Sequence, residues 1–165
     1  MPAPTRTLEF DPNQAIVRAW TINDAITRYL LDYIDPDIWD AEPPQGKGRT
    51  IAAIFAHIHN VRGMWLKAAV APEVPEKLER RTCTPAEVRA SLLASGAACR
   101  DLIERSLRDG GRVKGFKPDV VSFLGYLVAH DAHHRGQIGM LARQLGKPVA
   151  KQAMFGMWEW GRFAK

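Results

Sequence analysis

The sequence predicts an all-α fold: a four-helix bundle with a short extra helix near the C-terminal end. Three observations predict it. Proline and glycine divide the chain into four long blocks in which apolar residues recur every three or four positions. No segment alternates apolar and polar residues with β-branched enrichment between turns, so no sheet is expected. The connectors run to roughly ten to fifteen residues, enough to return one long helix alongside another. All 165 residues are expected to form one domain, residues 1–165, of ordinary globular composition.

The first block covers residues 14–34, with Ile16, Ala19, Ile22, Ile26, Leu30 and Tyr33 at helical spacing. Asp11 or Asn13 is placed to cap it, and proline is tolerated in a first turn. Asp35-Pro36 ends it. Residues 35–49 hold Pro36, Pro43, Pro44, Gly46 and Gly48 and read as a loop. Thr50 is placed to cap a second helix over 51–70, closed by Ala71-Pro72. After a loop over 71–83, Thr84-Pro85-Ala86-Glu87 has the pattern of a capping box with proline in the first position. The third helix should run to about residue 108 and stop at Asp109-Gly110-Gly111. The longest block, 120–145, ends at Gly146 followed by Pro148, a glycine-then-proline stop. A short tail helix is expected over 149–157.

The net charge of +5 is concentrated in the C-terminal part of the chain. It is spread singly, at Arg100, Arg105, Arg108, Arg112, Lys114 and Lys117, with Asp101, Glu104 and Asp109 between. Such a pattern is a solvated helix face, and no nucleic-acid partner is expected. No apolar stretch approaches the length of a bilayer span, so no membrane partner is expected either. Residues 1–14 lack a basic segment followed by an apolar run, and a cytoplasmic location is the expectation. Cys83 and Cys99 cannot form a disulfide framework and lack CxxC spacing, so no redox site is read from them.

The histidines carry the chemistry. All five lie in two helices: His57 and His59 in the second, His130, His133 and His134 in the fourth. His130 and His134 are one turn apart on the stripe through Phe123, Leu127, Ile138 and Leu145, so both imidazoles can project to one inward point. His133 falls off that line. In the second helix His57 is in phase with Ile54, Val61 and Ala68, and His59 points about half a turn away. The simplest triad is His57, His130 and His134. Buried imidazoles at this spacing cannot be satisfied by helix backbone, whereas three of them leave open positions on a divalent ion, the composition of a catalytic site. His130-Asp131-Ala132-His133-His134 is also close to HExxH. Aspartate is one methylene short for the general base, however, and no sheet precedes it to hold a peptide.

These segments carry a resemblance. His57-Ile58-His59-Asn60-Val61-Arg62-Gly63-Met64-Trp65, His130-Asp131-Ala132-His133-His134-Arg135-Gly136-Gln137-Ile138 and Gly156-Met157-Trp158-Glu159-Trp160 resemble the DinB/YfiT-like superfamily of four-helix-bundle metalloproteins. The resemblance implies a divalent metal, zinc or nickel foremost with iron, manganese or copper also compatible, on His57, His130 and His134. It also implies a homodimer. Characterised relatives include bacillithiol- or mycothiol-dependent transferases and an isomerase, so a low-molecular-weight thiol cosubstrate and a small electrophilic substrate are implied. The alternatives are a metal-dependent hydrolase, which needs the same open site, and a non-catalytic metal-binding stress protein.

Arg62 is read as a substrate-binding residue at the cavity rim, where it would meet a carboxylate, or else as a salt bridge. Asp131 is expected to pair with Arg135 on the helix surface, with orientation of a neighbouring imidazole as the other reading. Phe155, Met157, Trp158 and Trp160 are expected to pack over the bundle end or line a pocket mouth.

Overall fold

The computed structural model describes residues 10–44 and 46–164; residues 1–9, the beginning of the stretch on which the cytoplasmic expectation rests, lie outside them. The helices are α1 (Pro12–Leu31), α2 (Ile51–Ala68), α3 (Pro85–Arg108), α4 (Val120–Gln144), α5 (Lys151–Gly156) and α6 (Trp160–Phe163), with a 3-10 turn at Pro36–Ile38. Four long helices and no strand among the described residues give the all-α bundle the sequence predicts.

The helix starts follow local chemistry. Asp11, not Asn13, caps α1: its carboxylate accepts from the amides of Asn13 and Gln14 at 2.9 and 3.2 Å. Thr50 caps α2 through the amide of Ala53, and Asp119 caps α4 through that of Ser122. Thr84 and Glu87 form the reciprocal capping box at the start of α3. The tail differs from expectation. It breaks into two short helices because the chain turns at Met157–Glu159, and Trp158 and Phe155 stay largely exposed.

The core falls into two apolar clusters. One joins Tyr29, Leu30, Phe55, Ile58, Val88, Leu92, Ile138 and Leu141; the other joins Trp20, Leu66, Cys99, Ile103, Phe123 and Leu127. Their order along each helix sets the topology. α1 and α4 run from the second cluster toward the first, and α2 and α3 run the other way. α1 and α2 each pack on both α3 and α4. The helices therefore make a crossover bundle in which α1 and α2 are diagonal: the α1–α2 connector crosses that diagonal at one end, and the α2–α3 connector travels the length of the bundle. Between the two clusters lies a polar layer: Asn23, Asp24, His59, Arg62, Ser95, Asp131 and His134 are all buried there.

A candidate metal centre between the second and fourth helices

The buried face of α2 is not the stripe expected from periodicity. Ile51, Phe55, Ile58, Arg62 and Leu66 are fully buried, whereas Met64 is exposed and Val61 half-buried. Arg62 interrupts the apolar pattern, which conceals the true core face. His57 consequently sits at the margin of the core, facing α4 across a groove.

There it meets the fourth-helix pair. The ring centroids of His57 lie 5.3 Å from His130 and 4.6 Å from His134, and those of His130 and His134 are 4.5 Å apart. One ligand atom from each lies within 4.8 Å of the others, close enough to serve one ion. The three expected ligands thus converge. His133 and His59 do not join them. His133 is exposed and accepts from the side-chain amide of Gln137 at 3.0 Å. His59 turns into the core, its two ring nitrogens 2.9 and 2.8 Å from the carbonyls of Ser91 and Glu76.

Surrounding residues fix the rings. Nδ1–H of His134 donates to Oε1 of Gln137 at 2.7 Å, which leaves Nε2 with its lone pair. Nδ1 of His130 lies 3.6 Å from Oδ1 of Asp131, an electrostatic contact too long for a direct hydrogen bond. Tyr126 stacks on His130 with centroids 6.1 Å apart and joins Trp65, Phe116 and Phe123 in an aromatic wall.

The donor set fits a metal. The Nδ1 atoms of His57 and His130 are buried with no hydrogen-bond partner among the described residues, a costly state for an imidazole nitrogen. Burial, followed by the nearby cations Arg49 and Arg80 and the other two rings, lowers the pKa of His57 to about 4. Burial also lowers that of His134, against the Gln137 hydrogen bond that raises it. Neutral rings are the form that ligates.

This geometry accompanies a sequence match. The DinB family model matches residues 9–159. The chain belongs to the DinB family. No match is found among curated proteins or among solved structures. Three histidines on the second and fourth helices, able to hold one ion, make this DinB-family chain a metal-binding candidate by its own side chains as well as by its family.

Arg62 is placed elsewhere than the expected rim. Its side chain is 0% exposed and lies in the polar layer, donating to Asp24 at 2.7 Å and to Asp131 at 2.6 Å, with its guanidinium over the ring of Trp20. The salt-bridge reading is the one the packing favours. Asp131 is likewise corrected. It is not on the helix surface and does not pair with Arg135; it is 0% exposed, and its Oδ2 also accepts from Asn23 at 2.9 Å. Arg135 instead donates to Asn23 Oδ1 and Thr27 Oγ1. Burial raises the Asp131 pKa, but Arg62, His130 and Arg135 together hold the carboxyl below its usual range. Asp131 therefore links the buried ion cluster to the histidine site.

Sequence reading missed Gln137, Arg49 and Arg80. Gln137 was detectable, since a residue three positions after a candidate ligand on a helix can reach it. The two arginines lie in connectors, where no periodicity marks orientation.

Proposed function

We propose that this DinB-family protein is a metal-dependent enzyme in which His57, His130 and His134 hold one divalent ion, zinc or nickel foremost, and a low-molecular-weight thiol reacts with a small electrophile. The observation that carries this reading is the convergence of three imidazoles, two with orphaned buried nitrogens, with His57 opening on a cavity rather than sealed in the core. A divalent ion held there favours thiolate over thiol and polarises an acceptor at neutral pH. In the transfer the thiol loses its proton, its sulfur forms a bond to the electrophilic carbon, and the leaving group departs with the electron pair of the bond that breaks. In an isomerisation the thiol adds and is expelled again.

The chain's own residues have distinct tasks in this scheme. Gln137 fixes the tautomer of His134, the aromatic wall keeps water from one side of His130, and Asp131 ties the site to the rigid core. A histidine-only donor set leaves coordination positions open, which favours catalysis over structural metal binding. Cys83 and Cys99 are both buried free thiols, in keeping with a reducing cytoplasmic setting for a thiol-dependent reaction. A homodimer built on the tail is part of the proposal, supported by exposure of 62% at Phe155 and 78% at Trp158.

Metal analysis on protein purified without a histidine tag, followed by incubation with thiols and monochlorobimane, tests the reading. Thioether formation that needs the ion and stops on chelation is the expected result. Bound metal with no turnover would leave the non-catalytic role. Ester hydrolysis without any thiol would point to the hydrolase.

A further inference from the structure

The connectors place positive charge on both flanks of the histidine centre. On the α2 flank a cavity of about 570 Å³ opens beside His57, with apolar walls from Val61, Met64, Val74 and Pro75. The charged side chains on it are Lys67, Lys77 and Arg80. On the α4 flank a cavity of about 750 Å³ is lined by Lys47 and Arg49, together with His133 and Gln137. No aspartate or glutamate among the described residues lines either one.

Arg80 is held in place without being neutralised. The α2–α3 connector that carries it is pinned to α2 by three side-chain to backbone bonds. Asn60 donates to the carbonyl of Leu78 and accepts from its amide, at 3.0 and 2.9 Å, and His59 meets the carbonyl of Glu76. Yet Arg80 takes part in no ion pair among the described residues, and its Nε is buried without a hydrogen-bond partner. An unsatisfied donor on a guanidinium is costly unless a ligand completes it. Arg80 and His57 line the same cavity.

We propose that the cavity beside His57 seats an organic anion, its carboxylate on Arg80 with Lys77 and Lys67 and its apolar body against Val61, Met64, Val74 and Pro75. Resting on the reading of the histidine centre as a metal site, this makes the molecule acted on there an anionic one. Guanidinium matches carboxylate geometry in a two-point fork, and the apolar walls add area to the grip. Arg80 thereby takes the role the sequence suggested for Arg62.

Phenylpropionate and its uncharged amide, phenylpropionamide, are the probes. Each is titrated by ligand-observed NMR into the full chain, zinc-loaded and metal-free, with metal content measured on every sample. The carboxylate should bind about tenfold more tightly than the amide, a ratio in the range of a charge-assisted hydrogen bond. Arg80→Gln should abolish the preference, Arg80→Lys should keep part of it, and none should lose metal. Lys77→Gln, at an exposed position, should weaken the preference less, so a folding defect in the first variant cannot imitate the result. With cobalt loaded, the protons of bound phenylpropionate should show paramagnetic broadening that Arg80→Gln removes. Equal binding of carboxylate and amide, or a preference that survives Arg80→Gln, overturns the inference while a metal-loaded centre stands. Failure to hold metal would instead sink the metal reading, and the metal-free titration would still decide the anion site.

Discussion

His134 donates its Nδ1–H to Oε1 of Gln137 across 2.7 Å, one turn further along α4. The bond sets the tautomer that frees Nε2 for a metal, and its partner is itself held by the contact to His133. Gln137→Leu keeps the helix and removes the acceptor. Metal affinity should fall by about 10–100-fold, the usual cost of losing an outer hydrogen bond to a ligand. Competition with a chromogenic chelator measures it, and affinity equal to wild type would show that packing alone orients the ring.

The ligand assignment is tested by alanine at neighbouring positions. His134→Ala should remove most of the bound ion, because two nitrogens on different helices no longer make a chelating triad. His133→Ala should retain it, since that ring is exposed and off the cluster. Elemental analysis of the two variants decides. The opposite pattern would place the metal on the outer face of α4.

Arg62 and Asp131 should matter to stability more than any exposed pair. Both side chains are 0% exposed and 2.6 Å apart. Asp131→Ala leaves a buried guanidinium with Asp24 as its remaining carboxylate, and removing one member of a buried pair costs about 3–5 kcal/mol. Urea unfolding of metal-free protein should show a loss in that range, whereas Arg100→Ala, which touches only surface acids, should cost under about 1 kcal/mol. Comparable losses for both would mean that the buried cluster is not what joins α1, α2 and α4.

Gly96 holds α3 close to the same cluster. A Cβ built there would stand 2.5 Å from the Asp24 carboxylate, which is bound to Arg62 and Arg28 and cannot swing away freely. Trp20 adds a further constraint by donating its indole N–H to the Gly96 carbonyl at 2.8 Å. Gly96→Ala should therefore destabilise by about 1–3 kcal/mol through overpacking, against the gain alanine gives in an ordinary helix interior. A higher melting temperature in this variant would refute the close approach.

The four long helices were legible because caps and breakers are local: the Thr84–Glu87 box and the Gly146 stop act within a turn of themselves. The histidine triad was legible for a related reason, since spacing along a helix fixes direction. The face of α2 was not. Arg62 is charged and so counted as surface, and only the tertiary meeting with Asp24 and Asp131 makes its burial affordable. Asp131 was misplaced by the same logic, because Arg135 at four residues' distance offered a local partner that the fold does not use. The connectors are beyond such reasoning: what brings Arg49 and Arg80 beside His57 is the course of the α1–α2 and α2–α3 connectors, which the packing order and direction of all four helices set.

The histidine site should also set how stability responds to acid. The pKa of His57 is lowered to about 4 from an ordinary 6.5, first by burial and then by Arg49, the other two rings and Arg80; that of His134 is lowered as well. A depressed histidine pKa means that the unfolded chain takes up protons before the folded one does. The stability these two groups contribute is therefore fully present above the unfolded value of 6.5. It is lost as pH falls from there through the folded value, about 4 for His57. Metal-free protein should lose urea resistance between about pH 7 and pH 5, and His57→Leu, which cannot be protonated, should flatten part of that loss. The depressed values also move proton competition for the ion downward. Unperturbed imidazoles would begin releasing metal below about pH 6, whereas rings already neutral in the fold should retain it to lower pH. Parallel pH series of urea midpoint for the metal-free protein and metal content for the loaded protein check both arms. A metal-free stability that rises on acidification, or metal release complete by about pH 6, would show that these rings titrate as free histidines do.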